Sequence, residues 1–322
     1  MTRLRCFQQL RRGRPRAAAT FALVAALAAG IAASEPPRGF TVGVLRRDGL
    51  LIPFATFDGK GWRNHWPPPQ VVLTVPINIG SIPLRWWGPP GPRETWQAWV
   101  EGASSPVRVV QPDWIGIQCT RSLALRTNYR AAATVPPNTI QPYPKDGIAV
   151  SPPQAIERID LLAVDGREGH DLAPQLLSAF NRAERDTESH YGHPVSARKR
   201  EGIAPGIEAL YAFGDSPRVY YVEAIRQYRF LGQSPGECTA VGVGTGWFTR
   251  DRDAIRPLLM SVDLLDCDRR GGSYMLPFGA LRIGTRLFWF AQFSGWDHER
   301  YVVIEITPKH AEAVVSTWGG GC

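Results

Sequence analysis

The sequence predicts a mainly β fold built from antiparallel sheets, as a sandwich, a barrel or a propeller-like arrangement, with one substantial helix near 171–187. Three observations carry this. Short runs rich in Val, Ile, Phe and Tyr recur along the chain, divided by turns of Gly, Pro and Asp. Asp48-Gly49 sits between two such runs, and Asp-Gly between apolar stretches is the strongest short-range hairpin signal. Leu172, Leu176, Phe180 and Ala183 fall near helical spacing, with Asp171 placed to cap and Pro174 in the first turn, where its missing N–H costs little.

Taken in order, Phe40 to Arg47 and Leu50 to Thr56 form the first hairpin, and Asp58-Gly59-Lys60-Gly61 makes a second turn. Strands are expected at Val71 to Pro76, Thr95 to Val100, Val107 to Val110, Trp114 to Leu125 and Ile156 to Val164. After the helix come Arg218 to Tyr228, Cys238 to Thr249 and Leu258 to Leu265. A last hairpin pairs Arg286 to Phe293 with Arg300 to Ile306 across Ser294-Gly295-Trp296-Asp297-His298-Glu299. Trp86 to Pro92 and Pro136 to Pro153 are Pro-rich and aperiodic. The echo of Leu51-Ile52-Pro53-Phe54-Ala55 in Leu276-Pro277-Phe278-Gly279 is too slight to define the repeat a propeller needs.

Residues 1–34 read as a signal peptide. Arg3, Arg5, Arg11, Arg12, Arg14 and Arg16 precede an apolar, Ala-rich stretch that closes on Ala32-Ala33-Ser34. That stretch is shorter than the roughly 20 apolar residues of a spanning helix, so no membrane span is expected after cleavage. Arg11-Arg12 raises twin-arginine export, but Gly13-Arg14-Pro15 is not the apolar continuation that route prefers. The predicted product is an exported β-rich domain of residues 35–322, periplasmic or extracellular, with a subdivision near 136–153 as the alternative to one interlocked unit.

The leader also carries most of the charge. Of the formal +8, six positive charges lie in the first sixteen residues, leaving about +2 for the rest. A nucleic-acid binder usually shows a basic patch or stripe, and the densest basic run that remains is Arg198-Lys199-Arg200. Nucleic acid is therefore not an expected partner.

Cys119, Cys238, Cys267 and Cys322 remain beyond the leader, an even number that suits an oxidising compartment. Cys238 opens one expected strand and Cys267 follows the next, and an antiparallel hairpin sets those ends side by side. The sequence thus predicts Cys238–Cys267, leaving Cys119–Cys322 by elimination. That second bridge ties the two halves into one unit.

Seven of the eleven tryptophans fall between residues 62 and 114. Trp62 and Trp66 bracket His65, and Trp86-Trp87 precede a Gly-Pro-Pro-Gly-Pro loop. If Trp86 and Trp87 lay on a strand, they would point to opposite faces, leaving one exposed. Exposed rings suit sugar faces or a partner's apolar surface; the competing reading is core packing.

Other combinations are weaker. Asp297, His298 and Glu299 put two carboxylates and an imidazole at a hairpin tip, groups able to do acid–base chemistry. His190 and His193, preceded by Glu184, Asp186 and Glu188, are ligand-type residues, but they lack the i,i+4 helical spacing of zinc motifs and read as a helix end. Ser196-x-x-Lys199 lacks the companion elements of serine penicillin-binding enzymes. Gly242-Val243-Gly244-Thr245-Gly246 continues into strand-like Trp247-Phe248-Thr249 instead of opening a helix, so it marks a close approach by another backbone or a bulky side chain, not a phosphate loop. Asp266-x-Asp268 does not continue as a calcium loop. No cofactor and no metal is predicted.

Two functions of different class follow. The first is a non-enzymatic binding protein of the cell envelope or exterior, contacting glycan or another envelope protein through the Trp-rich region. Its candidate contacts are Trp62, His65, Trp66, Trp86 and Trp87, together with Asp297, His298 and Glu299. The second is an exported, glycosidase-like hydrolase with paired carboxylates, for which Asp297 and Glu299 are the nearest candidates. A structural envelope component is a third.

Overall fold

The computed structural model describes residues 39–70, 78–88, 91, 94–137, 139–229 and 238–322. The expected leader and the strand expected at Val71 to Pro76 lie outside the described residues.

The first sheet grows from the Asp48-Gly49 hairpin. Strands β1 (Phe40–Arg46) and β2 (Leu50–Phe57) pair antiparallel, and Gly49 supplies the positive φ of 81° that the turn needs. After the short β3 (Trp62–Arg63) and a helical turn α1 (Leu84–Trp87) come β4 (Thr95–Val100), β5 (Ala103–Ile117), β6 (Thr120–Thr127) and β7 (Lys145–Ser151). The order β1-β7-β4-β5-β6-β2 closes through β1–β2 into a six-stranded barrel. Residues 145–151 are thus a barrel stave between β1 and β4, not a linker.

The second half forms two sheets. After the two-residue β8 (Asp160–Leu161), helix α2 (Arg167–Tyr191) and the one-turn α3 (Ala197–Arg200) precede β9 (Gly206–Phe213), β10 (Arg218–Tyr228), β11 (Ala240–Asp251) and β12 (Ala254–Leu265). These strands form a five-stranded sheet ordered β12-β11-β10-β9-β8. A four-stranded meander follows: β13 (Tyr274–Ile283), β14 (Arg286–Ser294), β15 (His298–Ile306) and β16 (Ala311–Gly321).

Strand periodicity tells how the layers stack. Along β10, Val219 and Tyr221 pack toward the meander, while Tyr220, Val222 and Ala224 pack under α2 with Leu172, Leu176 and Phe180. The meander is buried on both faces. Trp289, Val302 and Ile304 face the five-stranded sheet, whereas Phe288, Phe290, Tyr301 and Val303 face the outside of the barrel. This explains why β14 reads as the near-continuous apolar run Leu287 to Ala291. The order is α2, five-stranded sheet, meander, barrel, and Arg38–Cys322 form one compact unit.

Both expected disulfides form, Cys238–Cys267 from the strand argument and Cys119–Cys322 from elimination. Cys238–Cys267 has a Cα separation of 5.9 Å, and Cys119–Cys322 one of 4.9 Å across 203 residues of chain. The second joins the barrel's β5–β6 turn to the end of the meander.

Three expectations need correction. The helix starts a turn earlier than Asp171, with Gly166 at its N-cap, and Asp171 pairs with Arg250 instead of capping. Gly169 permits this start, because a Cβ there would sit 2.1 Å from the Val164 carbonyl oxygen. The strand expected from Trp114 to Leu125 is two strands, broken at Gln118, where φ is +51°. The propeller alternative gives way to a barrel and two sheets.

Candidate functional site

The sandwich is sealed on one side and open on the other. Beside β13, Glu157 and Ala280 exchange two backbone hydrogen bonds of 2.8 Å, joining the start of the second half to the meander. At the opposite side the edges β12 and β16 do not pair with each other, and a cleft of about 430 Å3 opens between them.

The walls come from alternate residues of six strands. Tyr221, Trp247 and Leu259 line the cleft from the five-stranded sheet, and Phe293, Val302 and Ile304 from the meander. The rings brace one another: Trp247 lies 4.9 Å from Tyr221 and 5.0 Å from Trp289 between centroids, and Tyr221 meets Phe293 edge-on at 6.3 Å. Space remains because β16 contributes only Ala311, Ala313 and Ser316 opposite these large groups.

Polar groups gather at the mouth. His298 and Arg300 follow Val302 and Ile304 on the cleft face of β15. The His298 imidazole stacks on Trp318 at 5.5 Å with planes 13° apart, and its Nδ1 lies 2.8 Å from Asp297 Oδ1. That contact holds the Asp297 carboxyl below its ordinary pKa. Arg300 is exposed, and its guanidinium has no hydrogen-bond or ion-pair partner among the described residues. Trp296 stands 66% exposed on the neighbouring turn, with the Arg270 guanidinium 4.7 Å above its ring.

Behind the rings lies a carboxyl that faces no solvent. Glu223 Oε1 accepts the Met275 N–H at 2.6 Å and the Tyr221 hydroxyl at 3.4 Å. Burial pushes the Glu223 pKa up, against the pull of those two donors, and drives the Tyr221 phenol well above its ordinary value.

The residues singled out from sequence divide sharply. Asp297 and His298 meet at the cleft mouth, but Glu299 points through the sheet to the barrel side. There it pairs with Lys145 and takes a hydrogen bond from Tyr301. Asp297 and Glu299 therefore do not face one another across a common space, because strand alternation sends neighbours to opposite faces.

The tryptophans are mostly interior. Trp62 is 8% exposed, wedged between Phe40, Phe57, Phe288 and Phe290 where barrel meets meander. Trp66 and Trp87 (5% and 1% exposed) pack edge-on at 5.3 Å with the residues that fill the barrel, and the Trp66 indole donates to the Leu123 carbonyl. His65 packs beside Gly88, its Nε2 buried without a partner among the described residues. Trp86 is half-buried beside Arg85. Trp86 and Trp87 stand on the helical turn α1 and not on a strand, and the burial of Trp62, Trp66 and Trp87 agrees with the core-packing reading of this region.

The charged run on α2 has a structural place. Glu184 is a buried hub contacted by Arg226 at 2.7 Å, by the Tyr228 hydroxyl, and by Arg200 and His193 at 3.6 and 3.7 Å. Arg200 also grips Glu188 through two bonds of 2.6 and 2.7 Å. His190 turns outward onto the Asp186 carbonyl, and Ser196 precedes the single turn of α3. Among the described residues no group of three or more His, Cys, Asp or Glu is placed to hold a metal ion. No helix there is long and apolar enough to cross a membrane.

Sequence reading missed Tyr221, Trp247, Phe293 and Arg300. The legible signal lay in β15, where His298, Arg300, Val302 and Ile304 alternate with Glu299, Tyr301 and Val303. Comparison with protein-family models, curated proteins and solved structures finds no match to this chain.

Proposed function

We propose that the chain is an exported binding protein of the cell envelope or exterior, and that it holds a glycan in the cleft between β12 and β16. One observation carries this: a concave space at a sandwich edge, walled by aromatic and apolar side chains, with a few polar groups, His298 and Arg300 among them, in its lining. Ligand sites have this make-up of apolar walls and a few convergent polar groups. The exposed Trp318 ring, stacked on His298 beside the cleft, suits the flat apolar face of a sugar, while Thr245, Ser273 and Ser316 in the lining offer hydroxyls. Two disulfides are consistent with an extracytoplasmic location, and the signal-like first 34 residues supply the route.

Three carboxylates that line other concavities are engaged in ion pairs. Asp146 is held by Arg47 and Tyr129, and Glu184 and Glu188 by Arg226 and Arg200. The test mixes the exported, disulfide-bonded protein with insoluble polysaccharides and peptidoglycan, and reads protein depletion and sugar release in the same tubes. Retention without release, lost in Trp318→Ala and kept in Trp86→Ala, is the expected result. Release of soluble sugar would overturn the non-enzymatic reading. Depletion unaffected by Trp318→Ala would move the site elsewhere.

A further inference from the structure

We propose that the glycan taken by this cleft is acidic, and that Arg300 receives its anionic group while the rings behind it hold the sugar body. The inference rests on the binding reading above and narrows its ligand class.

The charge of the site points this way. The lining includes a guanidinium and an imidazole and no carboxylate. Arg300 stands at the mouth, its guanidinium without a partner among the described residues, whereas Arg270, Arg269 and Arg286 nearby in sequence are each paired with an acid. A cation left free beside an apolar cleft keeps its full field for an incoming anion, and the low-dielectric walls strengthen it. Two carboxyls beside the lining, Asp297 and Glu223, are each engaged elsewhere. Asp297 is bound to His298, outside the lining. Glu223 lies behind Tyr221 and accepts the Tyr221 hydroxyl and the Met275 N–H.

The geometry also limits what fits. Arg300 sits two residues along β15 from Val302 and two from His298, so an anion on the guanidinium lies within one strand step of the His298–Trp318 stack. Planar bidentate recognition suits Arg and a carboxylate, and a phosphate or sulfate ester offers the same pair of oxygens. The shared chemistry is an anionic oxygen pair on a sugar whose ring rests against an aromatic face.

Affinity electrophoresis of the full, processed protein through gels holding polygalacturonate, its fully methyl-esterified form, a sulfated galactan or a neutral glucan tests this. Arg300→Gln is the variant; the side chain is exposed, and thermal unfolding checks that its fold is kept. The expected result is retardation by one or both anionic polymers, weaker with added salt, and about tenfold weaker in the variant, the order of one charge-assisted hydrogen bond. Whether uronate or sulfate retards more identifies the source of the anion. Equal retardation by the acidic polymer and its ester, or an unchanged Arg300→Gln, overturns the acidic class while the glycan reading stands. Retardation by none of these polymers, together with no depletion by insoluble ones, overturns both.

Discussion

Lys145 and Glu299 join the barrel to the meander through a contact that burial makes costly to break. Their side chains are 1% and 3% exposed, and the second Glu299 oxygen takes the hydroxyl of fully buried Tyr301. Desolvation holds the Lys145 pKa below its ordinary value, and Glu299 pulls it back up. In Lys145→Met the side chain keeps its length and loses its charge, leaving Glu299 enclosed without a cation. Removing one member of a buried pair costs about 3–5 kcal/mol, whereas replacing both with apolar groups is often neutral. The single variant should therefore lower Tm by about 6–10 °C, taking about 2 °C per kcal/mol for a chain of this size. Lys145→Met combined with Glu299→Leu should recover most of that loss. Urea midpoints and calorimetry on the disulfide-bonded protein measure all three. A Lys145→Met variant within about 0.5 kcal/mol of the parent would refute the reasoning, as would a double variant no better than the single.

His193 predicts an acid-sensitive term. Its side chain is 1% exposed, its Nδ1 accepts the Val195 N–H at 2.9 Å, and burial with nearby Arg200 lowers its pKa, against Glu184 and Glu188. The unfolded imidazole titrates near 6.5, so this contribution is complete above that pH. It declines as pH falls toward the lower folded value. His193→Gln should flatten the dependence of the urea midpoint between pH 7.5 and 5.5; identical slopes would count against the assignment. Cys119–Cys322 closes 203 residues and Cys238–Cys267 closes 29. Chain entropy assigns them about 5 and about 3.5 kcal/mol, so replacing the first pair with serines should lower the denaturation midpoint further. Gly244→Ala should cost about 1–3 kcal/mol by overpacking, since its Cβ would lie 2.5 Å from Phe180 and 2.7 Å from Met260; adding Phe180→Leu should restore part of it. Ala313→Leu fills the cleft from an exposed position, so glycan retention should fall while Tm stays within about 2 °C.

What the sequence revealed was local, and what it hid was long-range. The Asp48-Gly49 hairpin, the Leu172-Leu176-Phe180 face and the glycine run each depend on near neighbours. Gly242 and Gly244 do leave room for a bulky ring, that of Phe180. The Cys238–Cys267 bridge needed only the antiparallel register of β11 and β12. Unread strands had reasons of composition. β7 follows a Pro-rich stretch, β13 carries Pro277 and Gly279 at a register shift, and β16 mixes Ala and Gly. Barrel closure through β1–β7 and β4–β7 joins segments some fifty to one hundred residues apart, which no periodicity reports. The tryptophans misled for a related reason. Strands such as β2 are buried along their whole length, so neither alternation nor ring count tells an inner aromatic from an outer one.

The cleft follows from how the meander is shared. A sheet with two buried faces must satisfy the barrel and the second sheet at once, and β14 does so with large residues on both sides. At the β16 edge the sequence turns small on the sandwich face, with Ala311, Ala313 and Ser316 opposite Trp247 and Leu259. Large residues there would complete the core, as Trp289 does two strands further in. Small ones leave the rings of the five-stranded sheet facing an open space. The same alternation that commits Glu299 and Tyr301 to the barrel contact delivers His298 and Arg300 to that opening. A single strand thus fixes the docking of two halves on one face and presents the candidate ligand groups on the other, so a one-residue slip of β15 would exchange a buried ion pair for a free cation in the core.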